Sequence, residues 1–286
     1  MPAKTGKYLF NFLIIGLFYG SCFADSPLPQ KERKTVIITG ASGELGSATA
    51  RLLALDYNLI LTGRNFTKLK NLQEELKRAN PGYYDICTLD FTSKPSRDAF
   101  KGYLNQVSTS IAGLVLITPR PEFSGKVLTQ DEDVWLEAFQ STFTGPMEAL
   151  KAALPHLSNP SKIVVIAGTT SVQLQPEYGP LCVIRRMWTT YTKALSYQLG
   201  PQGISVNALS PGVILTDFHQ ERIKKKSDEL CLSYEDQMEK EVANIPLHRY
   251  AKPLEVAQTT RFLLSEQSDF INGVNLILDG GFTLSY

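Results

Sequence analysis

A glycine-rich turn is the first stretch of the chain whose residue types and spacing suggest chemistry. It reads Thr39-Gly-Ala-Ser-Gly-Glu-Leu-Gly46 and lies between a β-branched run and a helical segment. Glycines at such a turn let the backbone approach a pyrophosphate, whose charge is met by the amide N–H groups of the helix N-terminus. In this strand-to-helix context the motif predicts a dinucleotide site. Its candidate contacts are Gly40, Ser42, Gly43, Leu45 and Gly46.

The end of the second predicted strand indicates which dinucleotide would bind. This strand ends Thr62-Gly63-Arg64, with no acidic side chain to accept a hydrogen bond from a ribose 2′-hydroxyl. The Arg64 guanidinium is suited to a 2′-phosphate instead, so the sequence favours NADP(H) over NAD(H). Glu44 should weaken the binding of either dinucleotide, because a carboxylate near a pyrophosphate is repulsive unless it points outward. We therefore expect binding that is weakened but not abolished.

Composition and charge exclude several other kinds of site. The 286 residues include 29 Lys and Arg against 28 Asp and Glu, a formal net charge of +1, so no nucleic-acid partner is indicated. The four cysteines are scattered and form neither a CxxC pair nor a zinc-like spacing with histidine. We expect no disulfide scaffold and no metal site. A small molecule is the expected ligand.

The N-terminal segment differs in character from the rest of the chain. Lys4 and Lys7 precede an apolar run over residues 8–19, and small residues lead to the Ala24-Asp25 junction. This order predicts a secretory signal over residues 1–24, cleaved after Ala24, and export to a periplasm or a secretory lumen.

Two other interpretations of the same segment stay open. Cys22 follows Gly20 and Ser21 and could be a lipoprotein acceptor. Residues 8–24 could instead remain as a membrane anchor, since their number is close to the lower limit of roughly 17 that spans a bilayer. In each case residues 25–33 form a linker to the folded domain.

From Thr35 onward, predicted strands alternate with predicted helices. The strands cover 35–39, 58–62, 84–89, 113–117, 162–167, 204–209 and 274–278, and the helices cover 45–55, 66–79, 95–107, 130–153, about 180–199 and 253–265. This alternation predicts an α/β fold, a doubly wound parallel sheet in a single domain over residues 34–286. The charged stretch 216–242 is expected to be either a lid or a solvated helix.

Several motifs together resemble the short-chain dehydrogenase/reductase family, and within it the 3-oxoacyl-carrier-protein reductases. They are the glycine motif, Asp90 after the third strand, the segment 203–216 and the tail from Asn272-Gly273 to Asp279-Gly280-Gly281. The resemblance implies a Rossmann fold and a homo-oligomer that pairs helices 180–199. It also implies an adenine contact from Asp90 and nicotinamide contacts from Pro211, Gly212 and Thr216.

The catalytic positions implied by the resemblance do not hold the family's residues. In the family a Tyr exchanges the proton, a Lys four residues later lowers its pKa, a Ser donates to the substrate oxygen and an Asn supports a water chain. Counting along ungapped motifs, these four positions hold Leu181, Arg185, Gly168 and Thr142. Ordinary carbonyl reduction would therefore lack its proton donor.

Displaced groups could rebuild a site. Tyr178 and Arg185 are seven residues apart, which is similar to the spacing in the enoyl-carrier-protein reductase branch. Arg185, permanently cationic, would hold the ribose and favour a phenolate, while Thr169, Thr170 or Ser171 would supply the missing hydroxyl.

Two functions follow, and the sequence leaves both open. One is an NADP(H)-dependent oxidoreductase that acts on a carbonyl or enoyl acyl-type substrate through this non-standard site. The other is a non-catalytic cofactor-binding or scaffold protein.

Overall fold

The β-branched runs form a parallel sheet in the computed structural model, which describes residues 33–120 and 125–284. Within these residues the strands are β1 (Thr35–Ile38), β2 (Asn58–Gly63), β3 (Tyr84–Thr88), β4 (Ile111–Ile117), β5 (Leu157–Ile166), β6 (Ile204–Pro211) and β7 (Asn275–Leu278). Their order is β3-β2-β1-β4-β5-β6-β7, and every neighbouring pair is parallel. The predicted doubly wound sheet is confirmed. The predicted signal over residues 1–24 and nearly all of the linker lie outside the described residues.

Helices connect the strands and cover the sheet. They are α1 (Glu44–Leu53), α2 (Phe66–Ala79), α3 (Lys94–Leu104), α4 (Glu132–Phe139), α5 (Gly145–Ala153), α6 (Gly179–Leu199), α7 (Asp217–Glu229), α8 (Tyr234–Val242) and α9 (Pro253–Leu264). Helix starts follow local chemistry, as at α2, where the Asn65 side chain accepts from the Lys68 N–H. In the described part of the chain, no helix combines the length and the apolar character needed to cross a bilayer.

Two hydrophobic layers enclose the sheet because successive strand residues point to opposite faces. On one face, Ile163 and Val165 of β5 pack with side chains of α3, α5 and α6. On the other face, Val164 and Ile166 pack with side chains of α1, α2 and α9. The strands are therefore buried on both sides, which explains why their sequences are almost continuously apolar.

The single helix predicted over residues 130–153 is wrong in detail, because a π-helical turn over Gln140–Thr144 separates α4 from α5. Pro146 has no backbone N–H, so it cannot donate to the Thr142 carbonyl four residues earlier. That carbonyl instead accepts from Trp188 Nε1 of α6 at 2.7 Å. Gly145 lies so close to the Phe91 carbonyl that a Cβ would collide with it.

The charged stretch predicted as a lid or a solvated helix folds as α7 and α8. They enclose a small apolar cluster that includes Ile223 and Val242. Next to this cluster, the mostly buried Glu241 carboxylate accepts from Arg222, Lys226 and the Tyr250 hydroxyl at 2.7–3.0 Å. The stretch is thus a packed helical pair with a charged surface.

Candidate functional site

The glycine turn at the end of β1 is bent tightly, and the backbone favours glycine at one position and requires it at another. Gly40 has a φ of +62°, and the Gly43 N–H donates to the Gly40 carbonyl at 3.0 Å. At Gly46 a Cβ would collide with the same carbonyl. This turn exposes the first backbone N–H groups of α1, which have no partners within the helix. The arrangement suits a pyrophosphate.

A cavity of about 580 Å³ opens beside this turn, at the carboxyl ends of the strands. β1 lies between β2 and β4, so the cavity is at the point where the strand order reverses, the usual ligand position in such sheets. Of the predicted cofactor contacts, five line it: Gly40, Ser42, Gly43, Arg64 and Asp90. The structure therefore brings together residues that are 50 positions apart in the sequence.

The other two residues of the glycine motif have structural surroundings. Leu45 is half-buried and packs against the apolar layer that holds α1 and α9. Gly46 permits the close crossing of α1 over the turn described above. Neither lines the cavity.

Arg64 and Asp90 mark one end of the cavity. Arg64 is exposed, and no ion pair of its guanidinium occurs with any described residue. Asp90 Oδ1 accepts from the Thr92 N–H at 2.9 Å and from its hydroxyl at 2.8 Å. Burial opposes ionisation of Asp90, but these hydrogen bonds and the nearby Arg64 and Arg97 outweigh it and lower its pKa. This end offers a cation and an ionised acceptor, which suit a phosphorylated ribose and an adenine amino group.

Glu44 is the first residue of α1, and its carboxylate points away from the glycine turn that precedes it. Its Oε2 accepts from the Asp217 N–H, at the first residue of α7, at 2.8 Å. The carboxylate thus caps α7, whose own N-cap residue, Thr216, makes no side-chain cap bond. Glu44 has the outward orientation that removes the expected repulsion.

The three residues predicted to hold a nicotinamide do not line the cavity. Pro211 ends β6, and the Gly212 N–H donates to the Leu278 carbonyl at 2.9 Å. A Cβ on Gly212 would lie 3.0 Å from the Asp279 Cβ, so glycine here permits contact with the C-terminal segment. The Thr216 hydroxyl lies 2.9 Å from His219 Nδ1. Burial, together with Arg222 and Arg120, lowers the pKa of His219 to about 4, so its imidazole is neutral at pH 7.

The Arg185 guanidinium fills the space next to Gly168. A Cβ on Gly168 would collide with Arg185 Nη1, and Gly168 has a φ of +104°. Arg185 Nη1 donates to Thr170 Oγ1 at 3.1 Å, while its Nε is enclosed without a hydrogen-bond partner. Burial and the nearby Arg120 lower the pKa of Arg185 to about 10, which still leaves it cationic.

The hydroxyl groups beside Gly168 differ in availability. Ser171 Oγ lies 2.9 Å from Ser210 Oγ of β6 and is fully buried, so this hydroxyl is not available to a ligand. Thr170 Oγ1 accepts from Arg185, which leaves its own proton free to donate. Of these two hydroxyl groups, that of Thr170 is therefore the better placed to donate.

Two of the positions that the resemblance aligned with catalytic residues are integrated into the packing. Leu181 is 4% exposed on α6. The Thr142 hydroxyl donates to the Ala138 carbonyl one turn earlier, at 2.5 Å. Neither side chain offers a free proton donor.

Tyr178 stands just before α6, as Gly179-Pro180 begins the helix. Its side chain lines a second cavity, of about 320 Å³, beside the α7–α8 pair and the C-terminal segment. The Arg120 guanidinium carbon lies 5.4 Å from the centre of the Tyr178 ring and 5.8 Å from that of Phe218. Arg120 also lines the larger cavity, so it stands where the two cavities approach each other.

Sequence reasoning missed Arg120 and Phe218. Arg120 follows β4, where the resemblance leads one to expect an Asn-Asn-Ala-Gly run and the chain has Leu116-Ile117-Thr118-Pro119. A cation at the carboxyl end of a central parallel strand was the available signal. Phe218 gave none, because an apolar residue in a charged helix has many explanations.

Fold and site together define a Rossmann-type dinucleotide-binding domain. A family model described as enoyl-(acyl carrier protein) reductase matches residues 40–283. A 3-oxoacyl-[acyl-carrier-protein] reductase of Rickettsia felis is 31% identical over 249 residues, which cover 87% of this chain and 96% of that protein. The chain therefore belongs to the short-chain dehydrogenase/reductase family of oxidoreductases.

Two solved structures show the same fold at low sequence identity. L-sorbose reductase from Gluconobacter frateurii, complexed with NADPH and L-sorbose, has a TM-score of 0.83 at 20% identity and covers 89% of this chain and 98% of its own. An NADPH-bound short chain oxidoreductase from Pseudomonas aeruginosa that contains an atypical catalytic center has a TM-score of 0.79 at 21% identity. The match covers 88% of this chain and 98% of that one.

Proposed function

We propose that the protein binds NADP(H) and transfers hydride between it and a carbonyl or enoyl carbon of an acyl-type substrate. The observation that carries the proposal is the 580 Å³ cavity, in which the glycine turn, Arg64 and Asp90 face one space. The backbone N–H groups of α1 would hold the pyrophosphate, Arg64 the 2′-phosphate and Asp90 the adenine. These groups match a phosphorylated dinucleotide in both charge and chemistry.

Bound NADPH would supply the hydride. The chain would supply the proton and the charge at the substrate oxygen. Tyr178 is the proposed proton donor, because Leu181 and Gly168 carry no exchangeable proton and Arg185 stays cationic. Thr170 would donate a hydrogen bond to the oxygen, and the Arg185 charge would stabilise an anion that develops there.

The cofactor preference is tested by titrating NADPH and NADH into the protein and into Arg64→Ala. A charge-assisted contact is worth about 1.5–3 kcal/mol, and the exposed position of Arg64 puts it at the lower end, about tenfold in affinity. We expect NADPH to bind about tenfold more tightly and Arg64→Ala to remove the difference. Arg78→Ala, on the exposed side of α2, is the control. Equal affinities in the unchanged protein would contradict the role of Arg64.

The chemistry is tested by NADPH oxidation with acetoacetyl-CoA and crotonyl-CoA. Tyr178→Phe removes the proposed acid but keeps the ring beside Arg120, so turnover should fall by about 10²- to 10⁴-fold with cofactor affinity unchanged. Tyr57→Phe is a matched control, because that hydroxyl lies on the far side of the domain, against the Leu264 carbonyl. Turnover that survives Tyr178→Phe would exclude Tyr178 as the donor.

The second candidate is a non-catalytic cofactor-binding or scaffold protein. It is favoured by the burial of Leu181 and by the Arg185 guanidinium in the space beside Gly168. Tight NADPH binding with no turnover of either thioester, and no effect of Tyr178→Phe, would support this candidate over the first.

Assembly and location are further parts of the proposal. We propose a homo-oligomer in which α6 pairs with its copy, because Val183 and Tyr197 on α6 are exposed in the single chain. Export, or attachment to a membrane by residues 8–24, rests on the sequence of the N-terminal segment. Sedimentation of the folded domain tests the first of these proposals.

A further inference from the structure

Two arginines near the proposed reaction centre lack acidic partners. Among the described residues, neither Arg120 nor Arg185 forms an ion pair, although nine such pairs occur elsewhere. The carboxylates that line the larger cavity belong to Asp90 and Glu137. Asp90 is bound to Thr92 at the other end, and Glu137 is exposed without a contact to either arginine.

No side-chain hydrogen bond of Arg120 occurs among residues 33–120 and 125–284. Tyr178 and Phe218 lie 5.4 and 5.8 Å from its guanidinium carbon and meet it as aromatic faces. A planar guanidinium held by rings can still direct two parallel N–H groups outward in its own plane. That geometry matches a carboxylate.

Arg185 adds a second positive charge close to Arg120. Its Nη1 is fixed by Thr170, and its enclosed Nε has no partner. The two arginines are close enough for Arg120 to disfavour the charged form of Arg185. Of the other basic groups nearby, His219 is neutral at pH 7, and Arg222 is paired with the Glu241 carboxylate at 2.9 Å. An incoming anion would therefore relieve the repulsion between the two guanidinium groups.

The cofactor has no anionic group left for this pair. The N–H groups of α1 and Arg64 account for the pyrophosphate and the 2′-phosphate, and both lie at the glycine-turn side of the cavity. The nicotinamide end of the cofactor carries no acidic group. An anionic group of the substrate would fit this pair.

We propose that the substrate is an oxo acid whose carboxylate is bound by Arg120, with the charge of Arg185 behind it. The second cavity, beside Tyr178, leaves about 320 Å³ for the rest of the molecule. Its lining is mixed: Val213, Ile245 and Phe282 are apolar, and Arg222, Arg249, Glu241, Glu255 and Asp279 are charged. This inference rests on the proposed function, and it narrows the substrate class to carbonyl compounds that carry a free carboxylate.

The test compares acetoacetate with methyl acetoacetate, which share the oxo group and differ in charge. With NADPH, the acid should have a kcat/KM at least tenfold above that of the ester. Arg120→Gln should remove this preference, because the kcat/KM of the acid should fall at least tenfold more than that of the ester, chiefly through a higher KM for the acid. Arg120→Lys should restore part of the preference. Arg186→Gln is the matched control, since Arg186 is exposed on α6 next to Arg185.

A binding measurement separates this inference from the proposed function. NADP⁺-loaded protein cannot reduce acetoacetate, so calorimetry reports its affinity without turnover. Acetoacetate binding that is lost in Arg120→Gln, in a protein that reduces neither compound, would support the carboxylate site while the proposed function fails. Equal reduction of acid and ester would overturn the inference and leave the function intact. A fall in NADPH affinity in Arg120→Gln as large as the fall for acetoacetate would also overturn it.

Discussion

At the scale of single residues, Gly168 and Arg185 depend on each other. The Arg185 guanidinium lies where a side chain on residue 168 would have to go, so the glycine and the arginine form a matched pair. A Ser at 168, the family's residue by resemblance, would place its Cβ against Arg185 Nη1, so the guanidinium would have to shift or be shortened. Changes at these two positions should therefore be coupled.

We predict that Gly168→Ser destabilises the protein by about 1–3 kcal/mol, and that adding Arg185→Lys recovers part of this loss. The unrecovered part reflects the backbone at φ +104°, which disfavours any side chain. Urea unfolding of the two single variants and the double variant gives the coupling free energy, expected to be about 0.5–3 kcal/mol. Purely additive changes would show that the two side chains do not compete for one space.

Single residues also show how far the sequence predicted the site. Gly40, Ser42, Gly43 and Arg64 were predictable because local backbone geometry and charge determine their contacts, whereas Asp90 came from the family resemblance. The structure gathers all five in one cavity. The orientation of Glu44 and the place of Arg120 were not predictable. Both depend on α7, whose distance in the chain from either residue hides the contact.

At the scale of elements, α7 is attached to the cofactor side of the molecule through its first turn. The Glu44 carboxylate accepts from the Asp217 N–H, and Phe218 lies against Arg120. Both contacts join α7 to segments that line the larger cavity. The position of this helix should therefore respond to changes in the glycine turn.

We predict that Glu44→Ala loosens the start of α7, while Glu44→Gln, which keeps an acceptor oxygen, does not. Loss of a helix cap costs about 1 kcal/mol, so amide exchange in the first turn of α7 should become roughly fivefold faster. Hydrogen exchange resolved by NMR measures this directly. Glu221→Ala, which removes an exposed carboxylate from α7 itself, is the control. Similar exchange in the Ala and Gln variants would contradict the cap.

The interrupted helix shows why sequence periodicity alone misplaced one element. Apolar residues recur at helical spacing through residues 132–153, so the pattern predicts one helix. The break comes from Pro146 and from a long-range bond between Trp188 and the Thr142 carbonyl. Only the proline was visible in the sequence, and a proline in the first turn of a helix is equally common without a break.

At the scale of the whole molecule, the alternation of strands and helices was sufficient to predict the sheet. Parallel strands joined by helices must be buried on both faces, and the apolar runs show this directly. The order of the strands was not predicted, because local patterning does not determine which strands become neighbours.

The N-terminal segment gives a prediction for the mature chain. The basic residues, the apolar run and the small residues before Asp25 predict cleavage after Ala24. N-terminal sequencing of protein made in its own host should begin at Asp25. A blocked, lipid-bearing Cys22 would favour the lipoprotein alternative, and soluble protein that begins at Met1 would contradict both.

The stability of the whole domain should depend on pH through His219. Burial and neighbouring arginines lower its pKa to about 4, whereas an unfolded chain has about 6.5. Folding therefore favours the neutral imidazole, and the resulting stability is fully present above pH 6.5 and lost as the pH falls toward 4. Between pH 7 and 5 we expect a loss of about 1 kcal/mol, after allowance for solvent screening at a half-buried ring.

His219→Gln should remove this loss in urea unfolding experiments, while His156→Gln should keep it. The window stays above pH 5, where Glu255, with a pKa of about 2, is still ionised and does not contribute to the change. If the free energy of unfolding changes equally between pH 7 and 5 with and without His219, another titrating group is responsible.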